Sequence, residues 1–243
     1  MTFPTPKHKT FFFVGIGLIA LLAVLIGFGK TFLSPSIQGR FSAPPVIYIH
    51  GAFAFSWVLL FLAQSLLVRR KKTRLHMRLG RIGLFLALGI LITMIPVGIF
   101  QVRRELAAGL GGIAYSGIIG TLTSGLIFFT LVSLAIAWRR KPVYHKRIMV
   151  LATIVLLWPA WFRFRHYFPN IPRPEIWFAL VLADSLILIA WAWDWWRQHR
   201  IHPSWLYGGL FIIIEQSMEV YLFDTPGWRN LGHTLFDFFT GIG

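Results

Sequence analysis

Three acidic residues lie inside long apolar stretches of the chain, where a charged side chain is costly. Asp184 belongs to one stretch, and Glu215 and Glu219 belong to the next. On helices, Asp184 and Glu215 would each lie about 12 Å below the same end of their stretches. Glu219 follows Glu215 by one turn on the same helical face. A charge at mid-membrane costs at least about 2.5–3.5 kcal/mol, so each acid requires a partner or a role.

Further polar side chains are expected at the same end of the apolar stretches as these acids. They are His50, Tyr115, Arg163, Arg165 and His166. We therefore predict an outward-opening polar pocket, made of His50, Arg163, His166, Asp184, Glu215 and Glu219. Two interpretations stay open: the pocket binds a proton, an ion or a ligand, or Arg163 or Arg165 neutralises the acids in a structural ion-pair network.

Four histidines at the ends of apolar stretches suggest a redox centre. His50 and His166 are predicted near one membrane face, and His76 and His145 near the other. Haem b is held across a helical bundle by two facing imidazoles, each oriented by a hydrogen-bond acceptor. Pairing His50 with His166 and His76 with His145 would place one haem near each face and let electrons cross the membrane. The first pair is also a candidate for a bound metal ion.

Seven apolar stretches have the length needed to position these residues across a membrane. A transmembrane helix needs about 17–25 mainly apolar residues, and the stretches cover residues 11–29, 46–68, 79–100, 113–138, 147–164, 176–195 and 205–223. We therefore predict an all-α fold. It is a single transmembrane domain over residues 1–243, in the form of a polytopic integral membrane bundle of about seven helices.

The distribution of basic residues predicts the orientation of this bundle. Of the 24 Lys and Arg residues, 16 lie at one end of the helices: in the stretch 6–9 at the N-terminus, in loops 69–81 and 139–147, and at Arg197 and Arg200. Lys and Arg are enriched in cytoplasmic loops. We therefore expect a cytoplasmic N-terminus, an external C-terminus and a multi-pass protein of the inner (plasma) membrane.

Composition excludes several classes of protein and site. Only 13% of residues are charged and 56% are apolar, whereas a soluble domain has about 25% charged residues. The net charge of +16 follows membrane topology, so we expect lipids and no nucleic acid as partners. The absence of cysteine excludes thiolate metal sites and a cysteine nucleophile.

One stretch of the chain resembles a known membrane-protein family. His50, Trp57 and Gln64 recur at seven-residue steps on one helical face. A basic loop follows, with the sequence His76-Met77-Arg78-Leu79-Gly80-Arg81. This pattern resembles a bacterial polytopic membrane-protein family of unknown function, over roughly residues 50–166, and the resemblance implies no particular activity. A looser likeness is to diheme b-type transmembrane cytochromes, which stack histidine pairs near both membrane faces.

Four functions are compatible with these residues. The first is a redox protein in which His50, His166, His76 and His145 bind haem b or a metal ion and exchange electrons with a donor or acceptor. The second is a proton-coupled transporter of a small-molecule ligand, with Asp184 and Glu215 as the proton or cation site. The third is a structural or assembly subunit. The fourth, a membrane-embedded enzyme, ranks last because no hydrolase or metalloprotease motif is present.

Overall fold

All regular secondary structure in the described part of the chain is helical. A computed structural model describes residues 11–241, and the basic stretch 6–9 used for the predicted orientation lies outside them. The α-helices are α1 (Phe12–Gly27), α2 (Ser34–Ile37), α3 (Pro45–Arg69), α4 (Thr73–Ala107), α5 (Ser116–Ala137), α6 (Pro142–Phe162), α7 (Ala183–Gln198), α8 (Pro203–Leu222) and α9 (Pro226–Thr240). Two π-helical segments, Gly29–Leu33 and Glu175–Leu182, and two 3₁₀ turns, Gly111–Tyr115 and Arg163–His166, adjoin them.

Five helical stretches are long and apolar enough to cross a membrane. They are Pro45–Arg69, Thr73–Ala107, Gly111–Ala137, Pro142–His166 and Glu175–Gln198. Two bent pairs also meet the criterion, Phe12–Gly27 with Gly29–Ile37 at 43° and Pro203–Leu222 with Pro226–Thr240 at 101°. Residues 11–241 are therefore all-helical in their regular structure, with five to seven helices long and apolar enough for a multi-pass membrane protein. Helix α4 is longer than its predicted 79–100 stretch, because it continues into the basic loop at one end and to Ala107 at the other.

Helices α3, α4, α5 and α6 form a four-helix bundle. Each packs against the next, α6 also touches α3, and α1 covers the seam between α3 and α6. In the centre, the Trp57 ring meets the Phe128 ring at 4.8 Å, edge to face. The Trp57 indole N–H also donates to Thr153 Oγ1 at 3.2 Å. Because the helices pack in the cyclic order α3–α4–α5–α6, α4 and α6 occupy diagonal corners of this α3–α6 bundle.

Helix α6 links the bundle to the rest of the molecule. It packs against α1, α5, α7 and α8. In its most apolar 18-residue stretch, 61% of the residues are buried, against 17–39% for the other four unbroken spans. We call the end of the bundle that carries loops 69–81 and 139–147 the basic end, and the other the opposite end.

Helix α9 lies across the opposite end of the bundle, beyond the last predicted apolar stretch, which ends at residue 223. It turns by 101° from α8 and packs on α5, α4 and the Gly111–Tyr115 turn. Trp228 donates its indole N–H to the Ser116 carbonyl at 3.2 Å, and Phe236 is buried beside Ala114 and Ile118. A side chain at Gly232 would collide with the Tyr115 carbonyl, so glycine allows this close contact.

Candidate functional site

The three predicted acids come together between α5, α7 and α8. Asp184 is buried, with 7% exposure, and it lies close enough to Glu215 for their charges to interact. Glu215 is similarly close to Glu219. We call Asp184, Glu215 and Glu219 the acid cluster. Asp184 and Glu215, which the sequence placed at one depth, are therefore near enough to interact electrostatically, and Glu219 lies one turn from Glu215.

Helix α5 shapes the wall of the acid cluster. The Thr123 side chain approaches the Glu215 carboxylate closely enough for a hydrogen bond. One turn away, a Cβ atom added at Gly120 would collide with the Glu219 carboxylate. Glycine at this position leaves the space that the Glu219 carboxylate fills. Gly120 was not among the predicted site residues, because its role depends on which face of α5 meets α8.

No cationic side chain compensates the acid cluster in the described part of the chain. The ion pairs within residues 11–241 involve other acids: Asp194, Glu175, Asp224 and Asp237. Oδ1 of Asp184 is buried and has no hydrogen-bond partner among these residues. A buried carboxylate without a partner is unfavourable, so the burial of Asp184 costs the folded state free energy.

The two arginines considered as partners of the acids are engaged elsewhere. Arg163 donates to the Pro159 carbonyl at 2.7 Å and lies over the Phe28 ring at 4.2 Å. Arg165 donates to the Phe162 carbonyl at 3.1 Å. Both guanidinium groups therefore bind carbonyl oxygens at the end of α6, and Arg163 also contacts the segment that follows α1.

The remaining residues of the predicted outer pocket lie apart from the acid cluster. His50 faces α4, with Nδ1 2.8 Å from Thr93 Oγ1. His166 is exposed, and its carbonyl accepts from Lys30 Nζ at 3.1 Å. No contact between the His50 and His166 rings occurs within residues 11–241. Tyr115 packs under α9, 4.5 Å from the His233 ring.

The other predicted histidine pair is brought together at the basic end. The rings of His76, on α4, and His145, on α6, lie 6.4 Å apart with an interplanar angle of 86°. Nδ1 of His145 is 2.7 Å from the Ala135 carbonyl. The Gln64 amide donates to the His76 carbonyl at 3.1 Å. The face of α3 that carries His50, Trp57 and Gln64 therefore ends at this pair. We call His76 and His145 the basic-end histidine pair.

A buried ion pair near the same end was not predicted from the sequence. Arg147 binds Asp194 through two hydrogen bonds of 2.6 and 3.1 Å, and their side chains are 4% and 1% exposed. Asp194 also accepts from the Gln198 amide at 3.1 Å and the His202 backbone N–H at 3.1 Å. The available signal was an acid among tryptophans, Trp193-Asp194-Trp195, in a stretch otherwise free of charge after Asp184.

His202 begins α8 beside this ion pair and is held neutral. Its Nδ1 accepts from the Ser204 backbone N–H at 3.2 Å, and its ring meets the Tyr144 ring at 4.7 Å. Burial, followed by the positive charge of Arg147, lowers the pKa of His202 to about 4. Nδ1 must keep its lone pair to accept the Ser204 N–H, so the neutral form of His202 is the one that caps the helix.

Comparison of the chain with known protein families, with curated proteins and with solved structures finds no match. Within residues 11–241, no group of three or more His, Cys, Asp or Glu side chains is arranged to hold a metal ion. The acid cluster and the basic-end histidine pair are therefore the two candidate functional groups of the protein.

Proposed function

We propose that the protein is a proton- or cation-coupled membrane transporter of a small solute, and that the acid cluster is its coupling site. The observation that carries this proposal is Asp184, a buried carboxylate without a counter-charge or a hydrogen-bond partner for Oδ1 among the described residues. In a low-dielectric environment such a group takes up a proton or a cation. Release of that ion requires contact with water, which links binding to a change of access.

Helix α7 itself supplies the internal comparison. Ten residues after Asp184, Asp194 on the same helix has a bidentate arginine partner and two further hydrogen bonds. That arrangement is how this fold satisfies an acid whose role is structural. Asp184 lacks it and instead lies beside Glu215, a second acid. Two like charges that interact in a low-dielectric environment are unfavourable unless a proton or a cation neutralises one of them.

Irregular backbone next to the acid cluster supports a site that changes conformation. The π-helical segment Glu175–Leu182 ends two residues before Asp184, and Pro159 interrupts the hydrogen bonding of α6 near its opposite end. π-Helical turns are frequent at functional sites. Broken helices at mid-membrane are a recurring feature of transporters.

The proposal includes an orientation. The basic end faces the cytoplasm, since 16 of the 24 Lys and Arg residues belong to that side. The chain then crosses the inner membrane seven times, if the Gly29 bend lies within the first span. Helix α9 lies along the outer surface over the ends of α4 and α5. The acid cluster belongs to the outer half and opens outward.

The test is ion-coupled uptake in proteoliposomes that contain the purified protein and a trapped pH-sensitive dye. An imposed potassium diffusion potential should drive proton entry when a candidate solute is present outside. We expect Asp184→Asn and Glu215→Gln each to lower the initial rate by at least about tenfold, equal to about 1.4 kcal/mol in the barrier. Glu175→Gln, which removes an exposed acid paired with Arg173, is the matched control and should retain the wild-type rate.

A purely structural role for the acid cluster gives a different result. If the cluster only ordered the bundle, Asp184→Asn and Glu215→Gln would lower the thermal stability of the detergent-solubilised protein. As an uncompensated ion site, the cluster should instead give equal or higher stability when amides replace its carboxyls. Lower stability with no change in ion flux would refute the proposal.

A further inference from the structure

The basic end of the α3–α6 bundle contains a second site, separate from the acid cluster. His76 lies in the first turn of α4 and His145 in the first turn of α6. Although α4 and α6 occupy diagonal corners, the two imidazoles meet at the end of the bundle, 6.4 Å apart and nearly perpendicular. Facing helices of a four-helix bundle are where cofactor and metal ligands are commonly placed.

The hydrogen bond of His145 fixes which nitrogen is free. A carbonyl oxygen only accepts, so Nδ1, 2.7 Å from the Ala135 oxygen, carries the ring proton. Nε2 of His145 therefore presents its lone pair. Histidines that bind metals are oriented in this way, by a backbone carbonyl or carboxylate on the second nitrogen.

Two buried polar atoms at the same place lack a hydrogen-bond partner in the described part of the chain. They are Nδ1 of His76 and Oε1 of Gln64. Buried polar atoms are nearly always hydrogen bonded, and an unsatisfied one costs about 1–3 kcal/mol. Since the Gln64 amide holds the His76 carbonyl at 3.1 Å, both atoms belong to one site, and they indicate a ligand there.

The spacing of the two rings fits a single metal centre. Two metal–nitrogen bonds of about 2.0–2.1 Å, plus a ring radius of about 1.1 Å on each side, span about 6.3 Å. The observed separation of the ring centroids is 6.4 Å. The separation of the two rings is therefore the right length for one metal ion held between two imidazole nitrogens.

The charges around the site distinguish between a free cation and an anionic cofactor. Arg74, Arg78, Arg140, Lys141 and Lys146 flank the two histidines in the sequence. We call these five residues, which adjoin the two histidines along the chain, the basic collar; their positive charges disfavour a bare divalent cation and favour a ligand that carries carboxylates. We propose that His76 and His145 together bind one metal centre, and that haem b, whose carboxylates suit the basic collar, is the form it takes.

The test measures binding of haemin and of Zn²⁺ and Cu²⁺, separately, to the detergent-purified full chain. We expect one equivalent of haemin to bind, with the absorption spectrum of a six-coordinate low-spin iron. His76→Gln and His145→Gln should each weaken binding by more than the about 10–100-fold that loss of an outer partner costs. His199→Gln, an exposed histidine at the same end, is the control and should bind as the wild type does.

The remaining outcomes are equally informative. Stoichiometric Zn²⁺ or Cu²⁺ binding that depends on both histidines, without haemin binding, would support the metal centre and reject haem. Wild-type binding by monodisperse, folded His76→Gln and His145→Gln proteins would overturn the proposal, as would no binding of any probe to the folded wild type. Because the assay involves no ion flux, failure here leaves the transport proposal standing, and failure of transport leaves this site standing.

Discussion

At the scale of single residues, the protein treats its buried acids in two ways. Asp194 has the Arg147 guanidinium, the Gln198 amide and the His202 N–H as partners. Trp205, fully buried, stacks on the same guanidinium at 5.0 Å and donates its indole N–H to the Arg147 carbonyl at 3.1 Å. This network joins α6, α7 and α8 at the basic end. The acid cluster, by contrast, has no cationic partner among the described residues.

Removing one partner of the buried ion pair should be strongly destabilising. Arg147→Met leaves Asp194 charged and buried, and a broken buried pair costs about 3–5 kcal/mol. The double variant Arg147→Met/Asp194→Leu removes both charges and should recover most of that loss. Thermal unfolding in detergent measures both effects. Arg173→Met, which breaks the exposed pair with Glu175, should change stability by less than about 1 kcal/mol, and a similar small effect for Arg147→Met would contradict the expected role.

At the scale of elements, α9 is a helix that the apolar pattern of the sequence did not predict. Its Gly232 and Phe236 face α5. Leu231 and Phe238 are exposed, beside the polar side chains of Arg229, Asn230 and His233. A helix with an apolar stripe next to a polar one suits a membrane surface. Thr225 begins the helix by accepting from the Trp228 N–H at 3.4 Å.

Gly232→Ala should lift α9 from the end of α5. The added methyl group would collide with the Tyr115 carbonyl, and overpacking of about 1–3 kcal/mol raises the open population about 5- to 150-fold. The reporter is Ala114→Cys, a position buried under α9, whose maleimide labelling should accelerate by that factor. Gly227→Ala on the same helix meets nothing within 4 Å and should label at the wild-type rate; equal rates for the two variants would refute the contact.

At the scale of the whole molecule, orientation is a prediction that single cysteines can test, because the chain contains none of its own. We expect Asn170→Cys and Thr234→Cys to react with an impermeant maleimide in intact cells, since both lie at the opposite end. Lys141→Cys, at the basic end, should react only after permeabilisation. The cysteine-free wild type gives the background. A reversed pattern would invert the orientation, and a protected Thr234→Cys would place α9 inside the membrane.

Much of the architecture was predictable because lipid imposes a simple rule. A stretch of apolar residues long enough to cross the bilayer must be helical to satisfy its backbone. The Thr73–Ala107 and Pro142–His166 spans therefore contain the predicted stretches 79–100 and 147–164 and extend beyond them at both ends. The bend after Gly27 and the separate helix α9 were not predicted, because both depend on packing against α6 and α5.

For the candidate site, the sequence predicted how deep the acids lie along their helices but not which side chains they contact. Residue spacing placed Asp184 and Glu215 at one depth and Glu219 one turn from Glu215, because a helix has a fixed rise per residue. Spacing does not give the rotation of a helix about its axis, which its neighbours set. Rotation of α6 therefore decided that Arg163 contacts Phe28 and that Arg147 meets Asp194.

The sequence by itself determined that the chain is a helical membrane protein with acids inside its apolar stretches and histidines at their ends, because hydropathy and spacing act locally along the chain. The tertiary structure decided which of these residues meet. It joined His76 to His145, separated His50 from His166, and left the acid cluster without a cation among the described residues. Contacts between helices depend on rotation, crossing and close approach, and those arise only when all the helices pack together.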